Sequence, residues 1–162
     1  MRKSDREITE PLALVDLIGR CQVCQVAFRT DAAPYIVPMS FGYAGDEQGG
    51  LRLFFHCALE GRKLDLLRAD PVVGFAMVLV HNLKVANRPC GYSQEYESIV
   101  GEGIIRIITD ENERIFALSK LMEHYGAAGL SQASDYNAKA LALTCTLELS
   151  VTAISGKRLL SA

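Results

Sequence analysis

Between Phe54 and Lys63 the chain reads FFHCALEGRK, which places an imidazole (His56), a thiol (Cys57) and two adjacent cations (Arg62, Lys63) within one short stretch. An imidazole can give or take a proton near neutral pH. A thiol becomes a nucleophile when nearby cations favour its thiolate. After Gly61, residues Leu64, Leu66 and Leu67 recur at roughly helical spacing and Asp70-Pro71 closes the run, so GRKLDLLRAD reads as a short amphipathic helix. The first turn of a helix carries partial positive charge and unpaired N–H groups, and therefore favours acidic residues. Arg62 and Lys63 have the wrong sign for that position. Either they are two solvated surface cations, at a cost of a few tenths of a kcal/mol, or a bound anion, most simply a phosphate, collects the N–H groups and both side chains.

Other chemistry-bearing residues are less organised. Cys21 and Cys24 form a CxxC, but CQVCQVAFRT has strand composition, and in a strand residues three apart face opposite sides. No second CxxC completes a zinc set, and His56, His81 and His124 lie far apart, so no metal is expected. Five cysteines, an odd number, argue against a full disulfide framework and fit a reducing compartment. Cys90 and Cys145 read as small buried residues. Glu95 and Glu97 share a strand face and read as solvated; no Ser-His-Asp set or carboxylate pair is identifiable by spacing.

The elements that would position these residues follow from the hydrophobic pattern. Thr9 caps a helix with Pro11 in its first turn and Leu12, Val15 and Ile18 on one face, ending near Gly19. CQVCQVAFRT, YIVPMSFGYA and LRLFFHC read as three antiparallel strands joined by turns at DAAP and DEQGG. After the Gly61 helix come a buried strand, VVGFAMVLVHN, an irregular stretch, LKVANRPCGYSQ, and a long strand, YESIVGEGIIRIIT. Asp110 and Glu113 open a helix with Ile115, Leu118, Leu121 and Met122 on its apolar face. A polar loop, a short helix near residues 134–142 and the strand TCTLELSVTAISG complete the chain. Six strands with mainly antiparallel connections predict a small β-barrel with helices outside, in a single domain spanning residues 1–162.

With 162 residues, 49% hydrophobic and 22% charged, the chain can bury a core without staples. A formal charge of −2 gives no general field for nucleic acid or anionic membrane. The run VVGFAMVLV is too short for a membrane-spanning helix, and MRKSDREITEP lacks a secretory apolar segment, so a cytoplasmic location is the default expectation.

Two strands break local rules. Pro38 inside YIVPMSF removes a ladder donor and belongs at an edge or bulge, leaving nearby backbone available. Gly101 and Gly103 inside SIVGEG weaken a strand unless backbone or ligand approaches closely, or the barrel bends there. A planar heteroaromatic ligand with a phosphate tail would use both the freed backbone and the Arg62-Lys63 helix end.

The succession PYIVPMSFGY, LFFHCALEGRKLDLL and CGYSQEYESIVGEG resembles the pyridoxamine 5′-phosphate oxidase-like FMN-binding split barrels, particularly the nitroimidazole resistance branch, from about Asp5 to Lys157. The resemblance implies an α+β fold, mainly β: a six-stranded antiparallel split β-barrel with helices packed outside. It implies FMN against Val37, Pro38, Met39, Ser40 and Phe41, with His56 and Cys57 near the ribityl and phosphate region. Gly61, Arg62 and Lys63 match the phosphate-binding turn. Ser98 and Ile99 correspond to a strand that reaches the flavin across a homodimer interface; one barrel alone offers little concavity, whereas a two-fold interface makes a cleft. The basic substrate-phosphate residues of true pyridoxamine phosphate oxidases are missing near the C-terminus, which ends SGKRLLSA.

Two functions follow. One is an FMN-dependent oxidoreductase that reduces a small electron-poor compound such as a nitroimidazole, with FMN carrying the redox chemistry. The other is a non-catalytic protein that stores or senses FMN, or binds another phosphate-bearing or haem-type cofactor. His56 is a candidate catalytic residue in the first and a hydrogen-bonding cofactor contact in the second.

Overall fold

The computed structural model describes residues 4–45, 50–130, 134 and 136–160. The chain runs β1 (Glu7–Ile8), α1 (Pro11–Arg20), β2 (Cys24–Phe28), β3 (Tyr35–Met39), β4 (Gly42–Gly45), β5 (Leu51–Cys57), α2 (Arg62–Ala69), β6 (Val72–Lys84), β7 (Ser93–Ile108), α3 (Glu111–His124), α4 (Ala138–Ala142) and β8 (Cys145–Leu159). All pairings are antiparallel, in the order β3-β2-β6-β7-β8-β5-β4, with β1 added to β8. The two ends of that order, β3 and β4, are consecutive in the chain and joined by Ser40 and Phe41 alone. Three Cα steps of about 3.8 Å span at most about 11 Å, so the sheet must curl until its edges meet. Covalent connection closes the barrel there, and no ladder between β3 and β4 does. That is the split.

The antiparallel split barrel with outer helices agrees with the expected fold class. The strand count rises from six to eight because YIVPMSFGYA breaks at Ser40-Phe41 and because Glu7-Ile8 pairs with β8. Pro38 lies on β3, an edge strand paired only with β2, where its missing donor is tolerated. The expected turn over residues 46–49 lies outside the described residues. No helix among the described residues is long and apolar enough to cross a membrane.

Alternation along β5 divides the interior in two. Leu53 and Phe55 face the barrel core, with Cys57 partly buried against it, beside Leu147, Leu149, Val26 and Phe28. Phe54 faces the other way, into a second cluster with Ile108, Ala117 and Leu121 under α3. Asp110 caps α3 by accepting from the Glu113 N–H at 2.9 Å, as the Asp-x-x-Glu spacing predicts. Arg106 of β7 ties the start of α3 to the sheet by donating to Glu113 (2.8 Å) and Glu148 (2.9 Å). Gly42 lets β4 run against the helix: a Cβ there would sit 2.3 Å from the Lys120 carbonyl carbon. The cap of α1 departs from expectation. The N-cap of α1 is Glu10, not Thr9, and makes no side-chain cap bond.

Candidate functional site

Helix α2 begins at Arg62, and its N-cap, Gly61, adopts φ 133°, a conformation that side-chain-bearing residues rarely take. Gly61 supplies no side-chain cap, and a Cβ there would meet nothing within 4 Å. The Gly61 turn therefore borders open space, with Arg62 exposed beside it. Leu64 and Leu67 on the opposite side anchor the helix in the barrel core. The Arg62 guanidinium stacks on the Tyr35 ring at 4.6 Å from its centroid. Tyr35 opens β3, so this cation–π contact links the helix end to the edge strand that carries Pro38. Cations, uncapped N–H groups and a free strand edge are thus neighbours, and this is a donor set suited to a phosphate attached to a planar group.

Along β3 and the split, Val37 is half-buried, Met39 faces the core, and Pro38 and Ser40 are exposed. The Phe41 N–H is already engaged, donating to the Tyr125 hydroxyl at 3.2 Å, and its ring is fully buried. Tyr125 in turn donates to the Gln22 carbonyl at 2.6 Å, which pins the end of α3 across the split. His124 adds to that clamp: its Nε2–H donates to the Cys21 carbonyl at 2.8 Å, with the ring against Phe41. Burial of the imidazole lowers its pKa, partly opposed by that hydrogen bond.

His56 and Cys57 are adjacent and therefore face opposite sides of β5. His56 is exposed and, with Ser40, lines a cavity of about 480 Å³ under α3 and α4. Cys57 turns into the barrel, directly across from Cys145. The two side chains are thus separated by the sheet itself. Burial, and next the Cys145 thiol, push Cys57 up to about 11, while Lys63 acts in the other direction. The cations near it do not make it a nucleophile. Alkylation at neutral pH is expected to label exposed Cys90 first and Cys57 roughly a hundredfold or more slowly. Peptide mass mapping over time checks this, and equal rates would contradict it.

Ser98 and Ile99 lie in β7, bonded to β6 on one side and β8 on the other. Ile99 is fully buried in the core and offers a ligand nothing within its own subunit. Ser98 faces outward, its hydroxyl 3.4 Å from the Lys157 carbonyl. Two strands, β2 and β6, separate it from β3 in the sheet, so one subunit does not bring it to the Pro38 edge.

Several readings change with the tertiary structure. The Gly101 and Gly103 positions serve the barrel rather than a ligand: a Cβ would meet Phe75 at 2.4 Å and the Ser150 carbonyl oxygen at 2.2 Å, beside a register shift between Glu102 and Gly103. Glu95 and Glu97 are buried, not solvated. Glu97 accepts from Arg20 at 2.7 and 3.1 Å and lies 3.1 Å from His81 Nε2; the Arg20 guanidinium holds its carboxyl below the usual range. Cys21 ends α1 and Cys24 starts β2, so both thiols reach the core, pushed up by burial to about 11 and about 12. Among the described residues no group of three or more His, Cys, Asp or Glu could hold a metal. Tyr136 and the α4 residues around the cavity carried no motif; only the apolar spacing of α3 hinted at its wall.

A family profile described as pyridoxamine 5′-phosphate oxidase matches residues 10–158. Among curated protein sequences none matches. Among solved structures, a candidate 5-nitroimidazole antibiotic resistance protein from Bacteroides thetaiotaomicron is 27% identical, with a TM-score of 0.77 over 94% of this chain and 86% of its own. The flavocytochrome Anf3 from Azotobacter vinelandii is 17% identical, with a TM-score of 0.84 over 99% and 72%. An FAD and heme binding protein from Mycobacterium smegmatis is 23% identical, with a TM-score of 0.83 over 96% and 74%.

Proposed function

Because this chain belongs to the pyridoxamine 5′-phosphate oxidase family, we propose that it is an FMN-binding flavoprotein that reduces small electron-poor compounds, of which nitroimidazoles are the test case. The observation that carries the reading is the Arg62–Tyr35 stack, which sets the uncapped, cationic start of α2 beside the free edge of β3. Arg62, Lys63 and the Gly61 turn hold the phosphate. Backbone from Val37 to Ser40, along β3 and just past its end, meets the ring system. Bound flavin supplies the hydride or electron transfer, and the protein binds, orients and shields it. The 27% identical Bacteroides protein supports the nitroimidazole class of substrate.

The working unit in this reading is a homodimer. On the outer face of the sheet, Ile36, Val78, Val80 and Val100 are each 48% exposed or more, an apolar surface that a second copy would cover. Ser98 lies on the same face, register partner of Val78, so a two-fold contact would carry it to the partner's flavin.

Purified protein should be yellow and dimeric by light scattering, release FMN on denaturation, and turn over a nitroimidazole with a reduced nicotinamide donor. A colourless protein removes the flavin assignment. Released FAD or haem corrects the cofactor, a yellow protein without turnover is a carrier or sensor, and monomer mass at micromolar concentration removes the dimer.

A further inference from the structure

The cavity beside His56 belongs to neither the barrel core nor the phosphate-binding turn. Its wall is the apolar side of α3, from Leu118 to Met122, and its roof is Ala140 and Leu141 of α4. Arg114 of α3 holds that roof, donating to the Leu141 carbonyl and, at 2.8 Å, to the Thr144 carbonyl. The volume, about 480 Å³, is that of a small-ligand site.

Most polar groups around it are committed. The Tyr125 hydroxyl bridges Phe41 and Gln22, Asn137 caps α4 through the Lys139 N–H, Thr144 donates to Ala140, and the Tyr136 hydroxyl lies 3.3 Å from Ser119 Oγ. The imidazole of His56 and the hydroxyl of Ser40 have no hydrogen-bond partner among the described residues. Behind them Thr146, register partner of His56 on the same sheet face, is fully buried with its hydroxyl unpaired. The cavity therefore has one polar end and an otherwise apolar body. Among its described lining residues His56 is the one side chain able to carry positive charge. A dianionic phosphate placed here would find no Lys or Arg among the described lining residues, which disfavours it relative to an uncharged group.

We propose that this cavity is the substrate pocket and that it selects uncharged planar ring compounds with a hydrogen-bond acceptor at one end, held by His56 and Ser40, over phosphate-bearing rings. The assignment rests on the flavoprotein reading and adds to it the pocket that holds the substrate and the selection against phosphate esters.

The test is calorimetric titration of the full-length protein, as purified, with 2-methyl-5-nitroimidazole and with pyridoxine 5′-phosphate, in wild type and in Ala140→Phe and Ala140→Leu. Ala140 is exposed at the cavity, so a larger side chain fills the space without entering the core. The nitroimidazole should bind saturably and at least tenfold more tightly than the phosphate ester. Ala140→Phe should weaken it at least tenfold and Ala140→Leu less, with melting temperature and visible absorbance unchanged. Phosphate-ester binding as tight as the nitroimidazole's, or nitroimidazole binding indifferent to both substitutions, overturns the proposal. Absorbance of the same samples separates the two readings: colourless protein with Ala140-dependent binding supports the pocket and removes the flavin, and yellow protein without such binding does the reverse.

Discussion

Replacing Arg62 and Lys63 together with alanine is expected to weaken flavin binding by a hundredfold or more while leaving the fold intact. Each charge-assisted contact to a phosphate is worth about 1.5–3 kcal/mol, so two contribute about 3–6 kcal/mol, and every 1.4 kcal/mol is about tenfold in affinity. The fold should tolerate the change because Leu64 and Leu67 hold α2 in the core, whereas Arg62 is exposed. What the fold loses is the stack on Tyr35, about 0.5–1 kcal/mol at an exposed site. Flavin titration by fluorescence quenching, with thermal melting as the control, measures both. Full flavin occupancy in the double variant would remove the phosphate from this helix end.

His56→Ala is expected to lower turnover about a hundredfold at saturating FMN, with flavin still bound. Proton donation by a positioned side chain contributes about 10²- to 10⁴-fold, and strand alternation turns His56 away from the barrel core. Its ring lies on the cavity side of β5, without a hydrogen-bond partner among the described residues. Arg62 and Lys63 lie further along the chain, past Cys57 and the Gly61 turn. A histidine that only hydrogen-bonds the cofactor would behave differently: the variant would lose flavin affinity, and excess FMN would restore turnover. Steady-state assays across an FMN titration separate the two, and full activity at saturating FMN would reduce His56 to a cofactor contact.

Much of this was legible in the chain because it depends on neighbours in sequence. The conflict between Arg62-Lys63 and the dipole of the helix they begin is local, and the structure keeps it: Gly61 gives no side-chain cap and α2 starts at Arg62. Pro38 marked an edge strand because a missing N–H has few places in a sheet. Asp110 and Glu113 marked the start of α3 for the same kind of reason. Family resemblance over nearly the whole chain carried the barrel and the candidate flavin contacts together.

What failed locally failed for want of packing. Glu95 and Glu97 have the pattern of a solvated strand face, and only the arrival of Arg20 from α1 and His81 from β6 makes the burial of Glu97 possible. Gly101 and Gly103 looked permissive toward a ligand, but Phe75 and the β8 backbone fill the space. The broken strand at Ser40-Phe41 carries no breaker residue. It is set by the barrel's need to turn a corner where its two edges meet.

By itself, then, the sequence determined most of the strands and helices and the cationic, uncapped start of α2, since propensity, capping and charge act over a few residues. The tertiary structure decided which of the chemistry-bearing residues share a space. It put His56 and Cys57 on opposite faces of one strand, gave His56 a cavity roofed by two helices more than fifty residues downstream, and left Ile99 in the core. Such partnerships depend on sheet order and on which side each helix covers, and those are fixed by burial of apolar surface summed over the whole chain.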